Sequence, residues 1–252
     1  KRGKFGEDDI PMCGVPAHSS HTYISRLINS GFKVAIAEQI GGLEVNSKKN
    51  YQKIFKRDVV RIITPGTILE DNLLEPKSFN NLLSISFLKG EMTLTWIDMT
   101  TGLIKLQRIK GKEFKQDLLE SIKKVDPCEI ICNLNLKESK IFNSILNLLR
   151  DKLTDVADSF FDIKNNVSKI RSYFKNSEIS SLGDFTQVDI SSIGALVNYL
   201  ELTQKNNIPL IKGIEIVNPS EFMQIDNFSF TSLEVFKKID GDKAGSLISV
   251  VD

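Results

Sequence analysis

The chain of 252 residues carries 33 Lys and Arg against 32 Asp and Glu, a net charge of +1, with 41% apolar, 26% charged and 8% aromatic residues. These proportions exclude a disordered or collagen-like polymer, and no apolar run approaches the roughly 18 residues of a membrane span. Three cysteines (Cys13, Cys128 and Cys132) are an odd number and too few to staple a secreted scaffold, which points to a reducing, cytoplasmic setting.

The first residue is Lys1, with neither an initiating Met nor a signal-peptide core, so the sequence reads as a piece of a longer protein. Pro16-Ala17-His18-Ser19-Ser20 supplies turn and cap chemistry ahead of a helix with Tyr23, Ile24, Leu27 and Ile28 on one face, and Gly31 stands where a helix C′ glycine belongs. Residues 32–37 then read as a short buried strand, 41–53 as a surface loop, and the β-branched run 59–63 as another strand. Thr64-Pro65-Gly66-Thr67 suits a type II turn, and the first domain boundary is placed there.

Three strands in meander spacing follow, over 82–88, 92–99 and 102–109, with apolar faces from Leu94, Trp96, Ile97, Leu103, Ile104 and Leu106. A helix over 112–124 leads to a compact buried strand at 128–132. Further helices are expected near 141–150, 167–174 and 190–204, with a strand at 213–217. Meander, helix, strand and helix together indicate an α/β domain with a mixed sheet. Residues 222–252 have a different character and read as the start of a third, helical domain.

Charge is not evenly spread. Residues 1–64 hold eleven Lys and Arg against six acids, while the other 188 hold 22 bases and 26 acids. A basic segment on a slightly acidic remainder marks a module for polyanions, although solvated lysines that keep a small domain soluble give the same count. Catalytic motifs do not gather. GxxxxGK[ST], GxGxxG and GxSxG are all missing, and His18 and His21 lack a second pair of metal ligands. Cys128 and Cys132 read as two small residues on one face of a strand, and Asp98 as a turn residue more readily than as a nuclease carboxylate. In residues 10–16 two prolines stiffen an apolar loop and Gly14 permits close backbone approach, with Lys1, Arg2 and Lys4 just upstream. Such a loop fits a nucleic-acid groove, and equally a buried connection between strands.

At these residues the chain resembles bacterial MutS, the DNA mismatch-recognition family. KRG followed by IPMCGVPAHS, YISRLINSGFKVAIAEQIG and RDVVRIITPGTILEDNLL carries the resemblance, which continues through NNLLSI, IDMTTG and PCEII to FSFTSLEVFKKIDGDKAGSLISVVD. The resemblance implies that residues 1–64 are the latter part of a mismatch-binding domain, 65–218 a ribonuclease-H-like connector without the nuclease, and 219–252 the entry to a helical core. It implies DNA-contacting roles for Lys1, Arg2, Met12, Gly14 and Arg57, with Ala17 small where many relatives carry an aromatic residue. The family's Phe-x-Glu wedge is not assigned to Phe5 and Glu7, which follow KRGK, where a later loop belongs. The implied partners are mismatched duplex DNA, MutL and a second copy in a homodimer. The implied ATP and Mg²⁺ belong to a part of the parent protein beyond Asp252, leaving this stretch with no catalytic, cofactor or metal residues. An interaction scaffold with little DNA affinity of its own stays open beside this reading.

Overall fold

The computed structural model describes residues 4–5, 8–9, 13–40, 56–69, 79–110, 114–133, 136, 142–174, 185–205, 208, 210–218, 221, 223, 225 and 227–251. The expected surface loop at 41–53 lies outside these.

Near the N-terminus, β1 (Lys4–Phe5) and β2 (Asp8–Asp9) form a minimal antiparallel pair. Helix α1 (Ser20–Asn29) ends at Gly31 with φ +82, as the helix-stop reading expects. It packs Ile24 and Ile28 on an antiparallel ribbon of β3 (Val34–Gln39) and β4 (Arg57–Ile63), in a small cluster with Ile63 and Ile68. The strand expected to be buried is not. Val34 and Ile36 are half-covered and the alternate residues open, because a two-stranded ribbon has only one face against α1.

The turn after β4 also differs from expectation. Pro65–Thr67 is a single 3₁₀ turn, and Gly66 is not among the glycines with positive φ. Thr64 and Thr67 hold each other: Thr67 Oγ1 accepts from Thr64 N at 3.1 Å, Thr64 O accepts from Thr67 N at 3.0 Å, and the hydroxyls are 2.8 Å apart. Reciprocal capping of this kind favours helical over type II backbone.

The larger part is a six-stranded mixed sheet in the order β10-β7-β6-β5-β8-β9. Its antiparallel meander is β5 (Asn81–Leu88), β6 (Glu91–Asp98) and β7 (Leu103–Ile109). Lys89 and Gly90, both at positive φ, make the two-residue turn whose twist suits a hairpin. Parallel to these run β8 (Glu129–Asn133) beside β5, β9 (Leu153–Val156) beside β8, and β10 (Gly213–Ile216) beside β7. The order and directions of β5–β9 are those of the expected ribonuclease-H-like connector. The sequence reading omitted β9, whose four residues include Thr154 and Asp155.

Helices cover both faces, so both carry buried apolar side chains, beside the buried Ser84, Ser86, Thr93 and Thr95. Leu82, Ile97, Ile104, Leu106 and Ile131 meet α4 (Ile163–Tyr173) and α5 (Gln187–Gln204). Leu83, Ile85, Leu94, Ile130 and Cys132 meet α2 (Phe114–Val125) and α3 (Asn143–Leu148) through Leu118, Ile122 and Ile145. Because α5 lies between sheet and α4, it is buried on most of its circumference. It begins with a capping box in which Thr186 N donates to Asp189 at 2.8 Å. Asp189, fully buried, also accepts from Thr93 Oγ1 at 2.7 Å and from Arg108 Nε and Nη2 at 2.9 and 2.8 Å. Residues 227–251 carry two short helices, α6 (Asn227–Ser232) and α7 (Leu247–Val251), in keeping with the helical character expected there.

Candidate nucleic-acid interface

Of the expected DNA-contacting residues, Lys1, Arg2 and Met12 lie outside the described residues. Gly14 is exposed, in the segment entering α1, and a Cβ there would meet nothing within 4 Å. Among the described residues nothing crowds this point. Arg57 opens β4 opposite Gln39, exposed, at the end of the ribbon distant from the sheet. Sequence reasoning counted Lys56 and Arg26 only as charge, yet both are exposed on the same small unit, Arg26 with its guanidinium 5.7 Å from the Tyr23 ring. His18 and His21 are exposed.

The ribbon is not uniform. Ile36 stands opposite Arg61 but Ala37 opposite Val59, which leaves Val60 as an extra residue on β4. Such a bulge bends and twists its strand and re-aims the side chains beyond it, here Asp58 and Arg57. Arg61, on the near side of the bulge, donates through Nη2 to the Thr67 carbonyl at 3.4 Å and belongs to the ribbon's base.

That base converges on one carboxylate that sequence reasoning missed. Glu129, 1% exposed at the head of β8, accepts from Thr64 Oγ1 at 2.5 Å and Gly66 N at 3.1 Å on Oε2. On Oε1 it accepts from Thr154 Oγ1 at 2.6 Å and Tyr199 OH at 2.7 Å, and Lys33 Nζ stands at 3.3 Å. Lys33 Nζ also donates to Thr154 Oγ1 at 2.7 Å. An ionised carboxylate can only accept, and every neighbour named offers it a proton. Gly66 must come close to make this contact: a Cβ there would lie 2.9 Å from Glu129 Cβ and 3.0 Å from Leu82 Cδ1. Burial, then the Glu129 charge and its hydrogen bond, push the Tyr199 phenol well above its ordinary value, so it remains a donor. The sequence signal was slight, a lone acid opening an otherwise apolar strand.

Asp98 is the turn residue expected of it. Its Oδ1 accepts from Thr100 N and Oγ1 at 2.8 and 2.6 Å, and its Oδ2 from Asn80 N at 3.1 Å. The two cysteines do not share a strand face: Cys132 is buried within β8, whereas Cys128 precedes the strand and is half-exposed. No group of three or more His, Cys, Asp or Glu among the described residues is placed to hold a metal ion, and no described helix is long and apolar enough to cross a membrane.

Fold and site together define a small basic module seated by a buried polar junction on a ribonuclease-H-like connector. Comparison with known proteins specifies this further. A family profile described as MutS domain I matches residues 1–72, and one described as MutS domain II matches residues 80–212. The chain belongs to the MutS family. It is 39% identical over its whole length to the DNA mismatch repair protein MutS of Wolbachia pipientis wMel, covering 29% of that protein. It is 36% identical to the MutS of Anaplasma phagocytophilum (strain HZ) over 97% of the chain and 29% of the relative. The MutS of Rickettsia rickettsii (strain Sheila Smith) is also 36% identical, over 100% of the chain and 28% of the relative. The chain thus spans about three-tenths of the length of these relatives.

Proposed function

We propose that this stretch provides the backbone-contacting part of a mismatch-recognising DNA-binding surface, together with the connector that ties it to the remainder of a MutS-type repair protein. The observation that carries the reading is the domain I match over residues 1–72, coinciding with the basic segment whose ribbon presents Arg57 and Lys56 to solvent. Phosphate contact from such cations positions a protein on duplex DNA without reading bases. Lys1, Arg2, Met12, Gly14 and Arg57 are the proposed contacts, in a cytoplasmic protein that acts as a homodimer. A mispaired step is sensed through the ease with which its duplex bends and unstacks. The connector would relay ATP state to this surface and meet MutL. ATP and Mg²⁺ would bind elsewhere in the parent protein, and these residues take no part in hydrolysis.

Fluorescence anisotropy with matched and G·T-mismatched duplexes tests this. The chain should bind both weakly and about equally, losing affinity steeply between about 50 and 200 mM salt. Arg57→Ala should weaken both complexes alike and flatten the slope of log K against log salt by about 0.9. Equal affinity at low and high salt would refute the reading. The scaffold alternative has one observation on its side. A groove of about 440 Å³ opens beside the sheet between Phe79, Trp96, Leu103, Lys105, Val125 and Met223. No measurable duplex binding at any salt would favour it.

A further inference from the structure

We propose that Glu129 is a clamp that sets the direction of the β3–β4 ribbon relative to the connector sheet, with Lys33 as its releasable jaw. The inference rests on the DNA-binding reading for its consequence, though not for its structural content. Each strand of the ribbon delivers one group to the same carboxylate. Lys33 immediately precedes β3, and Thr64 immediately follows β4, where Val34 pairs with Ile63. A ribbon held through one strand can rock about it, and a ribbon held through both cannot. The two groups come from the stretch matched as domain I, while Glu129, Thr154 and Tyr199 come from the stretch matched as domain II.

The lever is long enough to matter. Arg57 pairs with Gln39 at the far end, five residues from Val34, or about 17 Å at the rise of a strand. Rocking of about 10° at the base carries that end about 3 Å, as far as an entire hydrogen bond to phosphate is long. The two jaws differ in strength. Thr64 and Gly66 contact Glu129 in a buried turn, whereas the Lys33 side chain is 42% exposed and its ion pair screened by water. Losing Lys33 leaves the carboxylate four hydrogen bonds, those from Thr64, Gly66, Thr154 and Tyr199. The connector core therefore survives, while β3 keeps its pairing with β4 and loses its direct tie to the carboxylate. Lys33 is on this account a positioning residue for the ribbon's cations.

The test places nitroxides at Glu38→Cys near the ribbon's end and at Lys115→Cys on α2, in the full chain with Cys13 and Cys128 changed to Ser. Pulsed electron resonance should give a narrow distance distribution. Lys33→Met should widen it at least about twofold and weaken matched-duplex binding about threefold, and Lys33→Arg, which keeps the cation, should restore both. Circular dichroism and Trp96 fluorescence should show Lys33→Met folded. A distribution of the same width in Lys33→Met as in the parent would overturn the clamp. A parent chain that binds no duplex would overturn the DNA-binding reading instead, and the distance widths would still decide the clamp.

Discussion

Gly194, in the middle of α5, is where this fold should be least tolerant of a single added methyl group. A Cβ at this position would lie 2.0 Å from Asn166 Cγ and 2.4 Å from Asn166 Cβ, so α4 and α5 cross closely at this point. Asn166 cannot simply turn away. It is fully buried, its Nδ2 donates to the Phe160 carbonyl at 2.9 Å, and its Oδ1 accepts from Asn198 Nδ2 at 2.9 Å. Gly194→Ala must therefore either push the helices apart, an overpacking cost of about 1–3 kcal/mol, or break two buried hydrogen bonds at about 1 kcal/mol or more each. Alanine's better helix propensity returns only about 1 kcal/mol. The net loss should be about 1–2 kcal/mol, read as a fall of about 0.5–1 M in the urea midpoint with the slope unchanged. Trp96, the chain's one tryptophan, reports the transition from within the sheet. Second-site changes sharpen the prediction: Asn166→Gly should recover part of the loss, whereas Asn166→Ala should recover much less, since the residue 166 Cβ is itself too close. Equal rescue by the two, or a loss below about 0.5 kcal/mol, would show that the crossing is not the constraint.

Asp189→Asn keeps the shape of the buried cap but removes the charge that Arg108 pairs with, and should cost about 2–3 kcal/mol in urea unfolding. Arg108→Met should cost less in that background than in the parent, and strictly additive losses would argue against the pairing. The phenols of Tyr173 and Tyr199 are pushed up chiefly by burial, with Glu201 and Glu129 respectively contributing. Their folded values lie above the unfolded value, so this stabilisation is complete below about pH 10 and is lost as pH rises toward the folded values. Tyr199→Phe should leave the phenolate absorbance of the folded chain at pH 11 unchanged and reduce the alkaline fall in stability; a drop in that absorbance would contradict the assignment.

Local patterns made most of the connector legible. The three meander strands announced themselves through their spacing and apolar faces, and α1 announced its end through Gly31. Two details resisted. β9 is short and half polar, and it becomes a strand by pairing with β8, which no local pattern expresses. The turn at Thr64 combined Pro and Gly as a type II turn would, yet threonine capping and the approach to Glu129 selected a 3₁₀ turn in which glycine serves space instead of φ.

For the site, the sequence alone determined the excess of positive charge, the resemblance and the candidate Arg57, since composition and motif order are properties of the chain itself. Only the tertiary structure decided that Arg57 stands at the ribbon's far end beyond a bulge, and that Lys33, Thr64, Gly66, Thr154 and Tyr199 share one carboxylate. Those partners are drawn from residues 33 to 199, and a buried acceptor is satisfied by whichever donors the fold brings within about 3 Å, whatever their separation along the chain.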